Sequence, residues 1–171
     1  PYQAFAIAYA LSVCAGTQQF ERLGRCLAQL DPLDWDAALC VADALHLVER
    51  SDRKPLVENW VRSAHPVPRA AAIELGTRRL EAHAWLDADA CSLWLTDPNP
   101  AVARAALRGL ARSGSLPEGI IPQLHQMMLG SLGPDVALEA ARCLAMCGSR
   151  APYVALRQDG RALEAWGERA L

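Results

Sequence analysis

The sequence predicts an all-α chain, built as an α-solenoid of stacked antiparallel helix pairs, and three observations carry that expectation. Ala/Leu-rich stretches recur every 32–36 residues or so: "DAALCVADALHLVE", "RAAAIELGTRRLEA", "AVARAALRGLAR" and "VALEAARCLAMC". Each follows a turn marked by proline: Asp31–Pro32, "HPVP" at His65–Pro68, "DPNP" at Asp97–Pro100 and "GPD" at Gly133–Asp135. No stretch of period-two alternation competes with the helical period. A fixed period of this length marks a repeat array, whose units are each too small to bury their own apolar face and do so by stacking.

The repeat register is tightest in the second half of the chain. A shift of 34 residues pairs Val102 with Val136, Ala106 with Ala140, Leu110 with Leu144 and Gly114 with Gly148. Pro68, Pro100 and Pro134 are placed at the first helical position, where a missing N–H costs nothing, and Asn99 is a good cap before Pro100. Pro55, Pro117 and Pro152 are read as opening the intervening, shorter helices. Gly114 and Gly148 suit the left-handed residue that ends a helix.

The expected pairs are Gln18–Leu30 with Asp34–Glu49, Pro55–Ala64 with Pro68–Ala82, and Ala88–Leu95 with Pro100–Arg112. Pro117–Leu129 with Pro134–Cys147 and Pro152–Arg157 with Arg161–Leu171 follow. Tyr2–Ala15 reads as the second helix of a truncated unit. One array thus spans 1–171, in approximate units 1–16, 17–50, 53–82, 86–114, 116–149 and 150–171. A start at Pro1 and an end inside a helical pattern point to an excised piece of a longer chain.

Composition narrows the function classes. The chain is 52% apolar and 21% charged, a folding rather than a disordered composition. A net charge of −2 and a pI near 6.1 argue against a dedicated nucleic-acid binder. Lys54 is the single lysine among many arginines, which reads as genomic, bacterial composition. The six cysteines, Cys14, Cys26, Cys40, Cys91, Cys143 and Cys147, form no CxxC and fall mostly in apolar helical patterns. Reduced thiols in a cytoplasmic protein are expected. The apolar opening "AFAIAYALSVCAG" lacks a positive leader, and Val13 is a poor residue before a lipidated Cys14, so a buried helix is the better reading. No run has membrane-span length without polar interruption.

On these motifs the chain resembles the HEAT repeat family, including the HEAT-like repeats of bilin lyase subunits. The carriers are "DPNPAVARAALRGLARSG", "DPLDWDAALCVADAL" and "GPDVALEAARCLAMCG", although Ala103 intervenes before Arg104 and displaces the family's arginine by one. More loosely, "SAHPVPRAAAIELG" with "WLTDPNPAVARAALRGLARSG" is similar to bacterial HEAT proteins found near secretion genes. The resemblance implies a non-catalytic protein–protein interaction scaffold whose second helices turn a concave face toward the partner. It does not by itself name a function.

On a helical wheel of about 100° per residue, Val102, Ala106, Gly109 and Leu110 share one arc, and Arg104, Arg108 and Arg112 lie opposite. Such arginines serve either as solvated surface or as a docking row for an acidic or C-terminal peptide segment. The expected partner-binding site is the concave face around Arg104, Arg108, Arg112 and Arg142, with Leu138 and Met146 as an apolar flank. Asp36 and Asp43 make the face acidic toward the N-terminus.

Motifs of catalysis are not found, and no cofactor or metal is expected. His46, His65, His83 and His125 are scattered, and none is followed by Glu as in the HEAT-fold di-iron hydroxylases. Cys143 and Cys147 are one turn apart but point into the expected core without a histidine, which is packing rather than ligation. His65 near Ser63 has no acid partner in the sequence. GxGxxG, Walker and GxSxG patterns do not occur. Trp60 and Trp94, near the ends of first helices, are expected in the core between repeats. The enzymatic alternative is a HEAT-like DNA-binding enzyme of the alkylpurine glycosylase type, with Arg78, Arg79, Arg104, Arg108, Arg112 and Arg142 on phosphates. A structural spacer or dimerisation segment is the other alternative.

Overall fold

A computed structural model of the protein describes residues 5–9, 17–31, 35–47, 53–78, 85–117, 119–130, 132–150, 152 and 154. All regular structure among these residues is helical. Residues 5–9 are helical, and eight further helices follow. They are α1 (Thr17–Leu27), α2 (Trp35–Leu47), α3 (Arg53–Trp60), α4 (Pro66–Gly76), α5 (Ala88–Leu93), α6 (Pro100–Ser113), α7 (Ile121–Met128) and α8 (Pro134–Met146). Most of the unit expected over 150–171 lies outside the described residues, as do Cys14, His83 and Trp166. None of the described helices is long and apolar enough to cross a membrane.

Short and long helices alternate from α3 onward, and their packing follows that alternation. The second helices pack in series, α2 on α4, α4 on α6 and α6 on α8. The shorter α3, α5 and α7 each pack on the second helix that follows. Apolar spacing accounts for the inner faces. Leu23 and Leu27 of α1, and Leu56, Val57 and Trp60 of α3, recur at helical intervals and are buried. The second helices α4 and α6 are buried almost all round, because neighbours cover both flanks.

Helix α6 is the centre of this packing. Ala101, Val102 and Ala105 join the core shared with α1–α4, while Ala103, Ala106, Leu107 and Leu110 join a second core with α5, α7 and α8. Two-sided burial of this kind needs small residues. At Gly109 a Cβ would meet Thr77 Cγ2 at 2.6 Å and Cys91 Sγ at 2.7 Å, so the helix surface there is backbone in contact with α5 and the end of α4. Trp60 is buried and Trp94 packs half-buried between both cores, as expected of tryptophans at the ends of first helices.

Punctuation follows the sequence at α6 and α8 and departs from it at three prolines. Asn99 caps α6, its side chain accepting from the Ala101 N–H at 3.0 Å, and Gly114 ends it at φ 70°. After α8 the Gly148 N–H bonds to Ala145 O and the Ser149 N–H to Leu144 O, closing the helix through a left-handed glycine. The second copy, however, begins at Pro66, not Pro68. Pro66, Pro100 and Pro134 then stand at first helical positions 34 residues apart, and Pro32 falls 34 before Pro66. Aligning "HPVP" with "DPNP" pairs Pro68 with Pro100, whereas the helix starts pair Pro66 with Pro100. Likewise α7 starts at Ile121, four residues past Pro117, and Pro55 lies inside the first turn of α3.

The contact at Gly109 generates a stability prediction. Gly109→Ala gains helix propensity but forces Thr77 and Cys91 aside, and is expected to destabilise by about 1–3 kcal/mol. Urea unfolding followed by circular dichroism measures it; a midpoint at or above wild type would contradict the close approach.

Candidate functional site

The second helices bring charged residues into one chain of ion pairs that passes through a buried carboxylate. Glu74 lies midway along α4 with 0% of its surface exposed. Arg112 of α6 donates through Nη2 to Glu74 Oε2 and through Nη1 to Thr77 Oγ1 at 2.8 Å. Thr77 in turn donates to the Glu74 carbonyl at 3.3 Å. Arg108 Nε stands 3.2 Å from Glu74 Oε1, an ion contact outside hydrogen-bond alignment. Arg78, just past α4, reaches Asp43 of α2 at 2.6 Å and Glu74 more loosely at 3.9 Å. Three consecutive second helices are thereby joined: Asp43 to Arg78, and Glu74 to Arg108 and Arg112.

A second tie links the turns that precede α4 and α6. Arg69 Nη1 donates to the carbonyls of Ser63 and Ala64, at 2.8 and 2.9 Å. Its Nη2 bonds both carboxylate oxygens of Asp97, at 3.2 and 2.9 Å. Asp97 Oδ1 also accepts the Asn99 N–H at 2.9 Å, so the cap of α6 is fixed by the residue that holds Arg69. A bidentate Arg–carboxylate pair is the geometry in which such a contact is strongest.

The six residues expected to form a docking face are therefore distributed over two settings. The side chains of Arg104, Arg108 and Arg112 are only 21, 31 and 28% exposed. The wheel set them opposite the core; in the fold α4 covers one flank of that side, and Arg108 and Arg112 close over Glu74. Arg104 faces Asp135 of α8 at 3.9 Å. On α8 the setting is open: Arg142 is 62% exposed beside Glu139, Met146 is 66% exposed, and Leu138 is half-buried. Arg104, Pro100, Leu132 and Asp135 line a cleft of about 210 Å³ between the starts of α6 and α8.

Sequence reading passed over Glu74 and Thr77. The available signal was a lone acid inside the apolar run "AAAIELG", 34 residues before Arg108. A carboxylate in such a position either points to solvent or is paired. The wheel of α4 alone cannot decide between the two, because the arginines that pair with Glu74 come from α6.

Cys91 and Cys143 are packing residues, whereas Cys26 is exposed. Burial foremost, then the Asp87 carboxylate, pushes the Cys91 thiol up to about 12. Burial, reinforced by Cys147, raises the Cys143 thiol to about 12 as well. Cys147 is only partly covered, short of the core position expected for it, and burial raises its thiol too. Thiols held neutral in this way are poor nucleophiles and poor ligands. No cluster of three or more His, Cys, Asp or Glu suited to a metal occurs among the described residues. His65 donates its main-chain N–H to Ser63 Oγ at 3.1 Å, and its imidazole Nδ1 is buried without a hydrogen-bond partner among the described residues.

Two predictions follow from this geometry. Arg112→Ala removes a partner from the buried Glu74 and is expected to cost roughly 2–4 kcal/mol, whereas Arg142→Ala stays within about 0.5 kcal/mol. Urea unfolding of the two variants compares them directly; equal losses would contradict the structural role of Arg112. The raised thiols fix a pH dependence. Their folded-state values lie above the ordinary 9.0, so the stability they contribute is intact below pH 9 and is lost as pH rises toward 12. Unfolding midpoints between pH 8 and 10.5 should decline, less steeply in Cys91→Ala/Cys143→Ala; parallel slopes would assign the decline to other groups.

Comparison of the chain with protein-family models, with curated proteins and with solved structures gives no match.

Proposed function

We propose that the protein is a non-catalytic interaction scaffold, a HEAT-like α-solenoid segment that docks a protein or peptide partner along the outer side of its second helices. The observation that carries the reading is the serial packing of α2, α4, α6 and α8, which sets the second helices side by side in one row. Burial of the Cys91 and Cys143 thiols and the scatter of the histidines along the chain support a binding rather than a chemical role. The centre of the docking face falls on α8, where Arg142 and Met146 stand exposed and Leu138 half-exposed beside them. Arg104 borders it across the α6–α8 cleft. Arg108 and Arg112 support the face from behind through Glu74. An acidic partner with an apolar anchor fits the pairing of Arg142 with Met146.

The glycosylase-type alternative draws less support from the same geometry. Asp43, Glu74 and Asp135 face Arg78, Arg108, Arg112 and Arg104, so the second helices offer alternating charge in place of a basic groove. Duplex DNA is expected to pass unretained even at low salt, where phosphate contacts are strongest.

The test uses surface changes that spare Glu74. Arg142→Glu with Met146→Asp should leave helicity and the unfolding midpoint near wild type and reduce recovery of the native partner in a pull-down at least tenfold. Recovery equal to wild type would overturn α8 as the docking face. Reversing Arg108 or Arg112 is no substitute, since a carboxylate beside Glu74 disrupts the fold first.

A further inference from the structure

We propose that Glu74 selects the neighbour of α4, specifying α6 over another second helix of the same pattern. With first helical positions at Pro66, Pro100 and Pro134, the 34-residue period makes Glu74, Arg108 and Arg142 equivalent. Arg78, Arg112 and Met146 are equivalent one turn later. The apolar positions of α6 and α8 are nearly the same, Val102 with Val136, Ala106 with Ala140 and Leu110 with Leu144, and all six are buried. Apolar burial is non-directional and discriminates little between two such helices. A repeat array with interchangeable helices is open to mis-stacking, within one chain or between two.

The ion cluster is where α6 and α8 differ. Helix α6 brings two guanidinium groups to the Glu74 carboxylate, Arg108 on Oε1 and Arg112 on Oε2, and Arg112 also donates to Thr77 Oγ1. In the place of α6, helix α8 would offer Arg142 and, at the second position, the thioether of Met146. One carboxylate oxygen, wholly buried, would then lose its α6 partner, and Thr77 would lose its donor. That penalty falls on the wrong stack and not on the right one, which is how a buried polar group confers specificity without adding net stability. Shape acts in the same sense: α6 has Gly109 against Thr77, where α8 would bring the side chain of Cys143.

The experiment replaces the cluster by apolar side chains in the full chain, as Glu74→Met/Arg108→Leu/Arg112→Met, with Arg142→Glu as the control. The triple variant is expected to keep the helical circular dichroism of wild type and to lose the single set of amide cross-peaks, showing two or more sets or exchange broadening in α4, α6 and α8. The control keeps one set. A triple variant with one set, dispersed as in wild type, would overturn the proposal and leave selection to Gly109. Loss of the helical signal would overturn it as well, because the cluster would then be supplying stability rather than choice.

Discussion

A helix inside a row of helices has little surface left for water, and this constraint governs the rest of the structure. Helices α4 and α6 are each flanked by two second helices and backed by a short first helix. Their side chains must therefore be small, apolar or paired. Alanine and glycine meet the first demand in α6, where Gly109 gives α5 and Thr77 room to touch backbone. Glu74 meets the last, because its neighbours supply cations. Helix α4 has almost no wet face, and α6 keeps a part-covered stripe of Arg104, Arg108 and Arg112.

The constraint also alters what the arginines do. A guanidinium is planar, permanently charged and rich in donors, so it can cap a buried carboxylate while its stem covers apolar surface. Arg108 and Arg112 act in this way, and Arg69 does so at the turns, collecting two carbonyls and Asp97. Near-absence of lysine is consistent with such a surface, in which cations are partly covered and geometrically held. At α8 the regime changes, since Arg142 and Met146 stand in the open. An exposed cation and an exposed apolar side chain thus stand together at that end of the row and not at its middle.

Repetition creates a problem that the cluster helps to solve. Helices related by a fixed period share their apolar pattern, so the pattern that makes them stack leaves the order of stacking weakly specified. Departures from the period then carry the information: Glu at 74 where Arg stands at 108 and 142, Gly at 109 where Leu stands at 75 and Cys at 143. They are the positions at which a repeat-averaged reading is least informative, and at which contacts between neighbouring units are most particular.

The helices and most of their punctuation are legible in the sequence. Helical periodicity, Asn99 before Pro100 and the glycines at 114 and 148 act over one or two turns, so they are legible locally. The placement of Pro66 was legible too, once the period was held at 34, yet two adjacent X-Pro pairs made the alternative alignment equally easy. Tertiary structure alone decided the fate of the charges. Whether Glu74 or Arg108 meets water depends on which helix lies beside it, a relation across more than thirty residues that no single-helix wheel contains. The physical reason is that burial is a property of neighbours, whereas helix formation is first a property of the chain itself.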